Sequence, residues 1–156
     1  MPFTGISLSR LMTVHPALEE KIRQLDAAAP EINLQIPQAL RTYQSQDALY
    51  AQGRTTPGKI VTDVRGGFSW HNFGLAVDVV PEEAIAGQPD WNTAHPVWAR
   101  LISIGESLGL VSGSTWRTFP DFPHFQLTGR FAVTPDDEVR AIFSAGGLPA
   151  VWAAAL

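Results

Sequence analysis

The chain has 156 residues, a length that fits one domain with room for a proper core. Apolar residues make up 45%, there is no cysteine, and the formal net charge is −4. These values exclude a disordered chain, a disulfide-held fold and a basic surface built for nucleic acid.

No apolar run approaches the length of a transmembrane helix, so membrane insertion is not expected. Met1 to Ser7 lacks a basic region followed by an apolar core, so no signal peptide is expected either. The spacing predicts a helix over Pro16 to Ala28: proline suits the first helical position, and Leu18, Ile22 and Leu25 share a face. Pro30 ends it, and His15 reads as a helix-start residue. Ile32, Leu34 and Ile36 alternate with polar residues, which predicts a half-buried strand. After Arg41-Thr42-Tyr43, Ser45 reads as the N-cap of a short helix through Gln52, closed by Gly53. Arg54 to Gly58 is a loop, and Gly66-Gly67-Phe68 is a flexible approach to the next segment.

Leu75 to Val80 reads as a strand, entered through a tight turn at Gly74. Pro81 to Thr93 is loop-like, with an isolated Trp91 that either borders a cleft or crosses the surface. His95-Pro96 starts a helix through Leu108, with Trp98, Leu101, Ile104 or Gly105, and Leu108 on one face and Gly109 as its stop. His95 reads as another helix-start residue. Leu110 to Pro120 is loop with a strand in it, where Trp116 is either a cleft wall or a core residue. A further strand runs through Phe125 to Leu127. Thr134-Pro135-Asp136-Asp137-Glu138 is a helix start, with Val139, Ile142 and Phe143 as the apolar face. Gly146-Gly147 breaks that helix, and Leu148 to Leu156 form a last short one. Helices mixed with short strands, without a repeat or linker, predict one α+β domain over residues 1–156.

Two stretches carry chemistry. The first is Ser69-x-His71-x-x-Gly74-x-Ala76-x-Asp78, and the second is Asp121-x-x-His124. Asp78 lies inside an apolar run, where an unpaired carboxylate is costly. A role as metal ligand removes that difficulty. Two imidazoles, one carboxylate and an open position make a catalytic zinc site, with the second carboxylate available as general base. Without cysteine, any metal must be held by His and carboxylate. Spacing alone leaves open which of Asp78 and Asp121 is the ligand.

The two motifs in this order resemble the VanY/D-Ala-D-Ala peptidase superfamily of zinc metallopeptidases. Within it they are similar to the L-alanyl-D-glutamate endopeptidases of phage endolysins and bacterial cell-wall hydrolases. The likeness spans roughly Leu34 to Leu127. It implies a small, mainly antiparallel sheet that carries the ligands and is packed by helices. It also implies that His71, Asp78 and His124 hold one Zn2+, with Asp121 as general base. Arg41 to Thr62 is similar to the family's segment ahead of its first zinc motif. By that match Arg41, Gln46 and Ser69 line the substrate site. Arg41 would steady an oxyanion or grip a carboxylate, while Gln46 and Ser69 would bond the peptide backbone. Arg54 stays open.

The implied activity is cleavage of the L-alanyl-D-glutamate bond of peptidoglycan stem peptides. The implied setting is a monomeric, phage-type endolysin made in the cytoplasm, which another protein releases or exports to the wall. Two alternatives stand beside it: a D-Ala-D-Ala carboxypeptidase or dipeptidase on the same scaffold, and a non-catalytic cell-wall-binding module. The intact set of two histidines and two aspartates argues against the last.

Overall fold

The computed structural model describes residues 2–86 and 91–156. In chain order the elements are α1 (Gly5–Leu11), α2 (Pro16–Ala28), β1 (Leu34–Gln38), α3 (Tyr43–Ala51) and a 3-10 turn (Trp70–Phe73). Then follow β2 (Ala76–Pro81), α4 (Glu82–Ile85), α5 (Val97–Ser107), β3 (Val111–Gly113), β4 (Asp121–Gln126) and α6 (Asp137–Ala155). Among the described residues four strands form one antiparallel sheet in the order β1-β2-β4-β3. This is the expected α+β arrangement.

The helices follow from their apolar spacing. In α2 the residues Leu18, Ile22 and Leu25 are fully buried, each worth about 1.5–3 kcal/mol of burial. His15 caps this helix, its Nδ1 accepting from the Ala17 amide. In α5 the buried face is Val97, Trp98, Leu101 and Gly105. Gly105 rather than Ile104 meets the sheet, because a Cβ there would sit 2.4 Å from the Phe125 ring of β4. The helix therefore lies close against β4. His95 Nδ1 accepts from the Val97 amide, again as a helix-start residue.

Several local boundaries differ from expectation. Thr42, not Ser45, caps α3: its hydroxyl accepts from the Ser45 amide, and the helix begins three residues early. Asp136, not Thr134, caps α6, through the Val139 amide. Its carboxylate accepts from the amide three residues further along the chain. α6 runs on as two segments across a kink at Gly147 (φ 68°, ψ −163°), where the glycine pair was expected to break it. α4 occupies part of the segment read as loop. α1 was not foreseen, since only Leu11 of its seven residues is buried and no period shows. Its Ser7 and Arg10 side chains bond both backbone groups of Ile36 and so cover the edge of β1.

Alternation along β2 divides the domain. Val77 and Val79 enter a core with Leu18, Ile22, Leu25, Leu101 and Phe125. Asp78 points to the opposite face. A second cluster, including Trp70, Phe73, Leu75, Val139 and Val151, packs α6 beneath the 3-10 turn. Among the described residues, no helix is long and apolar enough to cross a membrane.

Candidate functional site

Asp78 and His124 are direct cross-strand partners in the β2–β4 ladder, so their side chains share one face. His71 arrives from the 3-10 turn. Ser69 caps that turn, its hydroxyl accepting from the His71 amide, and Gly74 closes it in the left-handed region at φ 65°. The Arg41 amide donates to the His71 carbonyl at 2.9 Å. One ligand atom from each of His71, Asp78 and His124 falls within 4.8 Å of the others, and all three side chains are buried.

The contacts within this group have a definite chemical sense. His71 Nδ1 lies 2.8 Å from the Ala39 carbonyl, which only accepts, so Nδ1 carries the proton. His71 Nε2 then faces Asp78 Oδ1 at 3.1 Å as one acceptor against another. A proton or a metal cation must lie between them. His124 Nδ1 stands 3.9 Å from the same carboxylate oxygen. Four-coordinate zinc with bonds of about 2.1 Å spaces its ligands by about 3.4 Å, so the donor set and its spread suit a small divalent cation.

The electrostatics agree with that reading. Burial opposes ionisation of Asp78, yet His71, His124 and Arg41 together hold its carboxyl below the usual range. Burial, then the neighbouring His71, push His124 down to about 4, leaving it neutral and able to ligate. Asp121 stands beside the group, its Oδ2 3.8 Å from His124 Nδ1. Burial and the charge of Asp78 raise it to about 7. A cation at the cluster would oppose that rise.

These residues sit on the wall of a cleft of 880 Å³, which Arg41, Ser69, Phe68, Trp91, Trp116 and Val133 help to line. The Trp116 ring lies 4.7 Å from that of His124, so it serves as a wall and packs on the site at once. Trp91 borders the cleft. Arg41 reaches the same cleft. Burial lowers its pKa, and Asp78 and Asp121 counter that shift. Its Nη1 donates to Gln46 Oε1 at 2.8 Å, while its buried Nε has no partner among the described residues.

Gln46 requires a correction. It is fully buried and does not line the cleft. Its Oε1 is taken by Arg41, and its Nε2 by the Val64 carbonyl and the Thr62 hydroxyl. With both ends of the amide engaged, it supports Arg41 from behind instead of meeting a peptide. Arg54 also lies apart: it donates to the Tyr50 and Thr62 carbonyls and covers the Tyr50 ring. Asn72 was missed. Its Oδ1 accepts from the Gly67 and Ser69 amides, and its Nδ2 donates to the Arg41 and Thr42 carbonyls. The signal was there in Ser69-x-x-Asn72, a spacing that suits reciprocal capping. Gln126 was missed as well. The alternation His124-x-Gln126 on a strand sets both on one face.

A family model described as D-alanyl-D-alanine carboxypeptidase matches residues 62–127. The peptidoglycan L-alanyl-D-glutamate endopeptidase CwlK of Bacillus subtilis (strain 168) is 35% identical over 123 residues, covering 73% of each chain. Among solved structures, the Serratia marcescens L-Ala D-Glu endopeptidase ChiX matches with a TM-score of 0.58 and 27% identity, over 82% of this chain and 90% of that one. VanYB in complex with D-Alanine-D-Alanine matches with a TM-score of 0.52 and 17% identity, over 86% of this chain and 78% of that one. The last likeness speaks for the fold alone.

Proposed function

The chain belongs to the M15 family of metallopeptidases, and on that premise we propose that it is a zinc-dependent endopeptidase cutting the L-alanyl-D-glutamate bond of peptidoglycan stem peptides. The observation that carries this reading is the convergence of His71, Asp78 and His124 on the wall of the cleft, with Asp121 beside them. The likeness to CwlK and ChiX, both named for that bond, supports the substrate.

His71 Nε2, Asp78 and His124 would hold the ion. Bound there, zinc would supply a Lewis acid for the scissile carbonyl and lower the pKa of water. Asp78 is the ligand and Asp121 the base. Asp78 is the more enclosed carboxylate and lies between both imidazoles, whereas the side chain of Asp121 is 32% exposed toward the cleft. Asp121 takes a proton as water attacks and returns it to the leaving amine. Arg41 lines the cleft and would bind a substrate oxygen through its guanidinium. Gln46 holds that guanidinium from behind, accepting from its Nη1. Ser69 caps the His71 turn and meets the peptide at the lip of the cleft.

Digestion of purified peptidoglycan tests the reading. New free D-glutamyl amino termini are expected. Released D-alanine without them would move the activity to the D-Ala-D-Ala carboxypeptidase reading, which the description of the matching family model favours.

A further inference from the structure

An imidazole presents two nitrogens, and the one left without a proton is decided by the partner of the other. His124 Nε2 lies 2.8 Å from Gln126 Oε1. A glutamine amide accepts at one end and donates at the other, so this contact has meaning only if something orients the amide. The Val133 carbonyl does so. It accepts from Gln126 Nε2 at 2.8 Å, and a carbonyl has no proton to offer a flipped amide. Gln126 Oε1 is therefore turned to His124, Nε2 of the ring must donate to it, and Nδ1 is left bare. That bare nitrogen faces Asp78 Oδ1 and Asp121 Oδ2. Gln126 is 1% exposed and His124 3%, so bulk water does not compete for either contact.

The same Val133 carbonyl accepts from Trp70 Nε1 at 3.0 Å. Trp70 precedes His71 in the 3-10 turn. One peptide oxygen thus ties the elements that bring both histidines to the cluster. An amide suits position 126 better than a carboxylate would. A carboxylate would oppose the Val133 carbonyl and add a negative charge near Asp78.

We propose that Gln126 is a positioning residue which, referenced to the Val133 carbonyl, selects Nδ1 of His124 as the nitrogen that faces the metal. The proposal rests on the metallopeptidase reading. Its first test does not need a bound metal. Nitrogen-15 NMR of the zinc-free wild-type chain near neutral pH reads the His124 tautomer directly, and a protonated Nε2 with a bare Nδ1 is expected. The reverse tautomer would overturn the proposal without any variant.

Gln126→Leu should then let the His124 ring populate both tautomers and weaken zinc by about 10–100-fold. Gln126→Glu keeps an acceptor for Nε2 and should hold the wild-type tautomer, at a cost in stability where its carboxylate opposes the Val133 carbonyl. Equal zinc loss in both variants, with the tautomer unchanged, would mark a packing role only and sink the idea. Zinc failing to bind the wild-type chain while Nε2 carries the proton would overturn the metallopeptidase reading and leave the lock standing.

Discussion

The site draws on two regions that hold their side chains by different means. Asp78 and His124 are fixed by a strand ladder whose bonds are between backbone groups, with β4 backed by α5 through Gly105 and Phe125. His71 sits in a four-residue turn held by specific side chains: the Ser69 hydroxyl and the Asn72 amide, along with the Ala39 and Arg41 backbone. A ladder tolerates change in most side chains because its bonds do not involve them. A turn built from side-chain caps depends on a few residues, and each of them matters.

The largest expected effect comes from removing a ligand in either region. His71→Ala and His124→Ala should each lose zinc and activity together, since three protein ligands drop to two. Metal stoichiometry on the purified variants is the measurement. One zinc retained in either variant would remove that histidine from the ligand set. Asp121→Ala comes next. It should keep zinc and the fold yet lose about 10²–10⁴-fold in turnover. If it arrives metal-free while Asp78→Ala holds one zinc, the two carboxylates have exchanged roles.

A third pair of variants sharpens the contrast between ladder and turn. Asn72→Ala strips partners from the Gly67 amide and the Arg41 carbonyl, about 1–3 kcal/mol for each group left unsatisfied. It should loosen His71 and so weaken zinc as well as stability. Gly105→Ala overpacks the Phe125 ring and should destabilise by about 1–3 kcal/mol while zinc affinity stays near wild type. Denaturant unfolding and zinc titration of both proteins give the comparison. Equal zinc loss in the two would erase the distinction. The smallest effect is assigned to Arg54→Ala, whose guanidinium serves its own loop: stability within about 0.5 kcal/mol and lytic activity unchanged are expected. A large loss of activity there would return Arg54 to the substrate site.

Asn72 and Gln46 show where sequence reading stops. Ser69 and Asn72 are three residues apart, so their capping was open to a local pattern. Gln46 was assigned to the substrate by likeness, and only the fold reveals that Arg41, Thr62 and Val64 occupy both ends of its amide. α1 escaped notice for a related reason. It lies along β1, and its seven residues, with Ile6, Leu8 and Leu11 as the apolar ones, are too few to show a clear period.

By itself the sequence determined the short-range features: the faces of α2 and α5, the glycine turn after His71, the apolar strand of β2, and the residue types a metal site needs. Each is set by neighbours within a turn or a strand, where spacing is geometry. The tertiary structure decided which groups meet across long stretches of chain. It set Ala39 against His71, 32 residues away, and Asp78 opposite His124. It also brought the Val133 carbonyl to both Trp70 and Gln126. Backbone carbonyls are alike in every residue, so no pattern of side chains announces which one a buried donor will find. That choice is made when the sheet, the turn and α6 pack and every buried polar group must be satisfied at once.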